Sequence, residues 1–207
     1  MFLQKLSKGG WYMDTVNYKD KTAKLLIKKS LCRYIYGKDI HSLVFLCIGS
    51  DRSTGDSLGP LVGHQLNRLP RIGKECSIYG TLDEPVHAQN LKQKTKMILN
   101  TVKDPYIVAI DASLGSLDKI GKIIVERGPL KPGAGVSKKL DPVGDVRITG
   151  VVNISGFMEF SVLQNTRLSV VMNMAAIISS AIWLAFLSMT HESSQDTLSG
   201  SRLSPLP

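Results

Sequence analysis

The stretch Leu43–Pro60, LVFLCIGSDRSTGDSLGP, decides how the rest of the chain is read. Leu43–Ile48 is a continuous apolar run stopped by Gly49, the pattern of a strand buried on both faces, as in parallel sheets. A polar loop, Ser50–Gly55, follows, and a helix is predicted from Asp56 to Leu69, with Pro60 tolerated in its first turn. Strand, loop and helix in that order start an α/β unit, and the loop leaves the carboxyl end of the strand, where open α/β sheets bind ligands.

The same alternation continues in both directions. Lys19–Tyr36 carries Ala23, Leu26, Ile27, Leu31, Tyr34 and Ile35 at a spacing close to one helical face. Short strands fit Ser77–Gly80, Tyr106–Ile110 (stopped by Asp111), Gly121–Arg127 and Arg147–Val152. Helices fit residues 86–101 and two closing segments that start near Phe157 and Leu168, and Gly128–Asp141 reads as a long loop. The expected fold is a three-layer α/β/α domain with a mainly parallel sheet.

Length and charge set further bounds. The 207 residues, 43% of them hydrophobic, suffice for one sizeable core. The net charge is +9, and residues 1–38 hold nine basic side chains against Asp14 and Asp20. The chain therefore divides into a basic N-terminal arm and helix (1–38), an α/β domain (39–189) and a Ser/Pro-rich tail (190–207) expected to be disordered. The arm lacks interleaved aromatic residues, so nucleic-acid contact is expected at most through its charge.

Cys32, Cys47 and Cys76 are odd in number and show no metal or redox spacing, which fits a reducing, cytoplasmic setting. No apolar leader opens the sequence. Residues 168–189 are apolar and uncharged for long enough to cross a bilayer. Asn173, Ser179 and Ser180 argue instead for a helix packed on a sheet, with these three on its less buried face, and no membrane span is expected.

The loop can be parsed in three ways. Gly55–Gly59 satisfies G-x-S-x-G, yet Ser57 lies too far beyond the strand for a nucleophile elbow, and no histidine stands in a matching context. Read as a phosphate loop, Gly49–Ser57 is one residue too long and places Asp56 where a lysine must reach phosphate. The third parsing makes Asp56 the chemical residue. Alone it would serve as a helix-dipole partner behind Ser53 or Thr54. Asp111, leaving a second apolar strand ahead of Ala112 and Ser113, changes that reading, because neighbouring strands would bring both carboxylates to one water or one metal.

At these residues the chain resembles the YyaC family of sporulation proteins, relatives of the germination protease that degrades small spore proteins. The resemblance runs from about Leu43 to Leu187 through FLCIGSDRSTGDSLGPLVG, GTLDEPVHAQNL, VAIDASLG and ITGVVNISGFMEFSVLQNTRLSVVMNMA. It implies the fold of hydrogenase maturation endopeptidases and two required aspartates, matching Asp56 and Asp111. In the hydrogenase peptidases a histidine joins the acidic pair on the nickel of the substrate. His87 is the candidate here, read rather as a loop or helix-cap histidine, and no cofactor or resident metal is expected.

The expected activity is peptide-bond hydrolysis, one aspartate activating water while the other, protonated, polarises the carbonyl or donates to the leaving group. Ser53, Thr54, Gly55, Ser57 and Ser113 are expected to bind substrate or orient the carboxyls, and backbone amides of residues 49–55 to stabilise an oxyanion. The expected partner is a protein or peptide substrate such as a small spore protein. The competing class is an inactive module that binds peptide or protein in the same crevice.

Overall fold

The computed structural model describes residues 5–6, 12–35, 42–70, 72, 76–133 and 140–199. The apolar run forms β3 (Ser42–Cys47), which lies parallel to both of its neighbours, β4 (Ser77–Tyr79) and β5 (Pro105–Gly115). Its side chains serve two cores: Phe45 and Cys47 point to one face, Val44, Leu46 and Ile48 to the other. That double burial is why the run shows no polar alternation.

Beyond β5 the sheet continues through β7 (Val146–Ile154), again parallel, then β6 (Lys122–Arg127), β2 (Tyr12–Asn17) and β1 (Lys5–Leu6), all antiparallel to their neighbours. The strand order is β1-β2-β6-β7-β5-β3-β4. The parallel part, β7-β5-β3-β4, bears the site, and the antiparallel strands form a flank beside it.

Helices cover both faces. α1 (Ala23–Ile35), α2 (Leu58–Asn67) and α5 (Leu168–Ser199) pack over Phe45, Val108, Ile110, Ile123, Val125 and Ile148. On the other face α3 (Leu91–Thr101) sets Leu91 and Ile98 against Val44, Leu46, Ile107 and Ala109, with Leu130 and Val143 beside them. The short helix α4 (Glu159–Gln164) lies against the start of α2's approach turn and β7. The architecture is the expected three-layer α/β/α.

Three details differ from the sequence reading. The first is the boundary after residue 38. β2 is hydrogen-bonded along β6, and Val16, Ala23, Ile27, Leu31 and Tyr34 belong to the same core as the parallel strands. The N-terminal segment is therefore part of the domain, with Asp14 paired to Arg33 of α1 at 2.9 Å. Residues 1–4 and 7–11 of the expected arm lie outside the described residues.

The second concerns α5. Leu168–Met189 has the length and apolarity to cross a membrane, but Val171, Met174, Ala175, Ile178, Ala181, Ile182, Ala185 and Phe186 are buried at helical spacing in the core. Asn173 is exposed as expected, whereas Ser179 is buried, its hydroxyl donating to Gln65 Oε1 of α2 at 2.7 Å. The helix runs on to Ser199, so the residues just past 189 continue α5 rather than start a disordered tail. Residues 200–207, like 134–139 of the loop after β6, lie outside the described residues.

The third is β5, which does not stop at Asp111 but runs on to Gly115, paired with β7 and broken in register between Ser113 and Leu114. Asp111 stands on the side of β5 that carries Ile107 and Ala109. It lies just past the point where β3 ends, since Ile48 N–H donates to the Ile110 carbonyl at 2.7 Å.

Candidate functional site

Two close approaches at glycine build the site. After β3, Gly49 N–H donates to the Val86 carbonyl at 2.8 Å, and Gly49 adopts φ +141°, a conformation side chains rarely tolerate. A Cβ there would also collide with the Asp56 carbonyl. The loop thus folds back on itself, Ser50 N–H donating to that carbonyl at 3.2 Å. Ten residues further along, Gly59 lets the first turn of α2 rest on the Ile48 carbonyl, where a Cβ would not fit. Together they hold Asp56, in the 3-10 turn Gly55–Ser57, over the end of β3.

Asp56 and Asp111 both line a cleft of about 700 Å³ at the carboxyl edge of the parallel strands, with Ser50, Ser53, His87 and Phe160 among its walls. Asp111 is 7% exposed. Burial pushes its carboxyl well above the ordinary range, the charge of Asp56 pushes it further, and the Ala112 N–H, 2.7 Å from Oδ1, pulls it back. Burial also raises Asp56, opposed by the Ser50 N–H and by the field of His87. Among the described residues no Lys or Arg forms an ion pair with either carboxyl. The pair can therefore hold one proton between two acids, which titrate together.

Of the other expected residues, the structure brings Ser53 and Ser113 to the cleft. Ser53 Oγ is buried there and has no hydrogen-bond partner among the described residues. Thr54, Gly55 and Ser57 are not among its lining residues: Gly55 and Ser57 are buried in the 3-10 turn, and Thr54, half-buried, precedes it. Ser57 Oγ donates to the Thr54 carbonyl at 2.7 Å, and Gly55 packs under Leu163 and Thr166 of the α4 segment.

His87 takes the loop and helix-cap place expected of it. It closes the turn before α3: its N–H donates to Asn90 Oδ1 at 2.8 Å, its carbonyl accepts from Asn90 and Leu91, and Nδ1 accepts from Gln89 N–H at 3.3 Å. It also lines the cleft. Among the described residues no three His, Cys, Asp or Glu side chains group closely enough to hold a metal. Sequence reasoning missed Arg52, Asp83, Gln89, Phe160 and Gln164 in the cleft walls. Asp83 and Gln89 follow β4 at the same sheet edge, a signal that strand order alone would have supplied.

A second cavity of about 300 Å³ meets the first at Asp111–Ser113 and continues past Leu130, Arg147 and Thr149. Arg147 is held there by Glu126 at 2.9 Å.

A protein-family model described as "Protein of unknown function (DUF1256)" matches residues 15–181. The "Uncharacterized protein YyaC" of Bacillus subtilis (strain 168) is 49% identical over 164 residues, covering 79% of this chain and 77% of that protein. Among solved structures, the [NiFe] hydrogenase maturation protease HycI from Thermococcus kodakarensis KOD1 aligns over 75% of this chain and 96% of its own. Its TM-score is 0.47 at 18% identity.

Proposed function

This chain belongs to the DUF1256 family, and we propose that it is a peptidase that hydrolyses peptide bonds with Asp56 and Asp111. The observation that carries the reading is the mutual one: two carboxyls raised by burial, one also by the charge of the other, on the wall of a single cleft and, among the described residues, without an ion pair to Lys or Arg.

The environments divide the labour. Asp111 is the more deeply buried and keeps the shared proton, while Asp56, supported by the Ser50 N–H and by His87, carries the charge. In the reaction Asp56 takes a proton from a water poised between the carboxyls, and the resulting hydroxide attacks the scissile carbonyl. Asp111 donates a hydrogen bond to that carbonyl oxygen and stabilises the developing oxyanion. As the tetrahedral intermediate collapses, the proton taken by Asp56 passes to the leaving amine. The two adjoining cavities supply a path for an extended chain on both sides of Asp111.

The resemblance to the YyaC family supports a sporulation setting, inside the spore-forming cell, with small spore proteins as candidate substrates. The test is purified protein incubated with small spore proteins and with a peptide library, products read by mass spectrometry, alongside Asp56→Asn and Asp111→Asn. Each variant should lose at least about a hundredfold in rate. Equal cleavage by both variants would remove the pair from the chemistry. Tight binding without turnover, indifferent to both substitutions, would make the cleft a binding module instead.

A further inference from the structure

Next to the aspartates stands an apolar surface that the proposed chemistry does not use. Between β7 and α4 the chain presents Phe157, Met158 and Phe160 at 91%, 64% and 60% exposure, with Ile154 partly exposed beside them. Scattered exposed apolar residues need no explanation, but three large ones in four positions do.

The backbone that carries them is firmly held. Ser155 N–H donates to the Gly115 carbonyl at 2.8 Å, and Asn153 Nδ2 reaches the Val162 carbonyl at 3.3 Å and Thr166 Oγ1 at 3.2 Å. Val162 N–H closes the first turn of α4 on the Met158 carbonyl at 3.1 Å. Met158 itself sits in the left-handed region, φ 55° and ψ 44°, which is uncommon for a residue with a side chain. A segment anchored at both ends, and mildly strained, thus holds apolar side chains out to solvent in a fixed arrangement. Such preorganised apolar groups are what binding sites use for anchoring.

The surface is continuous with the catalytic cleft. Phe160 lines the cleft together with Leu163 and Gln164. Leu163 and Thr166 in turn rest on Gly55, the residue before Asp56, where even a Cβ would crowd them. The rest of the lining mixes charged and polar side chains, Asp51, Arg52, Asp83 and His87, with the apolar Leu82 and Leu140. A polypeptide stretched through the cleft, its side chains alternating in direction, would turn every second one toward this apolar rim.

We infer that Phe157, Met158 and Phe160 form the specificity-determining rim of the cleft, and that it takes an extended polypeptide segment bearing large apolar side chains beside the bond presented to Asp56 and Asp111. The inference rests on the cleft being a polypeptide site, as proposed above.

The test separates binding from turnover. In the Asp111→Asn background, fluorescence anisotropy measures binding of fluorescein-labelled β-casein, an unfolded chain rich in apolar residues, with a labelled glycine–serine polymer as control. Casein should bind and the polymer should not. Phe157→Ser with Phe160→Ser should weaken casein binding at least about tenfold, the loss expected when buried aromatic contacts are removed. Phe157→Ser alone, at a side chain with almost no packing to lose, should weaken it in the same direction with an unchanged melting temperature.

Undiminished casein binding by the double variant would overturn the inference, as would no casein binding by the parent. It would also fall if the double substitution abolished co-sedimentation with phosphatidylglycerol vesicles while leaving casein binding intact, or if it converted a dimer to a monomer in sedimentation velocity. Casein binding that depends on the rim, in a protein that cleaves nothing, would leave the inference standing and remove the peptidase reading. Cleavage whose KM ignores both phenylalanines would do the reverse.

Discussion

Asp111 is the residue at which stability and proposed chemistry oppose each other. Its folded carboxyl is raised above the unfolded value, so the native state binds the proton more tightly and stability falls as pH rises from the ordinary aspartate range through the raised value. Asp111→Asn keeps an oxygen for the Ala112 N–H and, being neutral at every pH, removes the cost of protonating a buried carboxyl in neutral solution. The variant should melt higher than the parent at pH 7, by roughly 2–4 °C for each kcal/mol recovered, and the difference should shrink below about pH 4, where the aspartate is protonated in both states. A lower melting temperature at pH 7, with native circular dichroism, would contradict the burial account. Gly49→Ala should do the opposite. It forces a side chain into φ +141° and against the Asp56 carbonyl, costing about 1–3 kcal/mol in backbone strain alone. Urea titration should show that loss, and cleavage should fall with it because Asp56 is displaced. Both aspartates were legible in the sequence because each follows an apolar strand and precedes small residues. The burial of Gly55 and Ser57 was not, since a 3-10 turn in place of the expected helical start turns them inward, and no local pattern announces such a turn.

Among the elements, those with a strong period were readable. β3 showed itself by an uninterrupted apolar run, and α1 and α5 by buried positions three and four apart. β2 did not, because YMDTVN is half polar without a clean alternation, and of its residues whose burial is described only Val16 lies in the core. Its strand character comes from pairing with β6, far along the chain, and strand propensity yields readily to such partners. α5 was readable as a helix but not in its contacts. Ser179, expected on the less buried face, instead fastens α5 to α2 through Gln65. Ser179→Ala should cost about 1 kcal/mol in urea denaturation, the usual worth of a buried hydrogen bond plus the unsatisfied partner. A double-mutant cycle with Gln65→Ala should give a coupling of roughly 0.5–1.5 kcal/mol. Additive losses would mean that the two side chains do not act on each other.

At the scale of the whole molecule, the site belongs to the parallel strands while their support extends into the N-terminal segment. Charge density made residues 1–38 look separable, and hydropathy could not correct this, because the evidence for integration lies in contacts between distant positions. The consequence can be measured on a chain that begins at residue 39. Removing the segment strips Val16, Ile27, Leu31, Tyr34 and Ile35, five large side chains, from the core, and uncovers Ile123 and Val125 of β6. At roughly 1.5–3 kcal/mol each, their loss rivals or exceeds the roughly 5–15 kcal/mol that holds a typical domain folded. β6 would also present an unpaired apolar edge, since β2 supplies its outer hydrogen bonds. The shortened chain should therefore lack a cooperative melting transition and self-associate in sedimentation velocity. The full-length chain should melt cooperatively under the same conditions. A shortened chain that melts cooperatively near the full-length temperature, and still shows the coupled titration of Asp56 and Asp111, would make the segment an appendage and confine the fold to the residues after it.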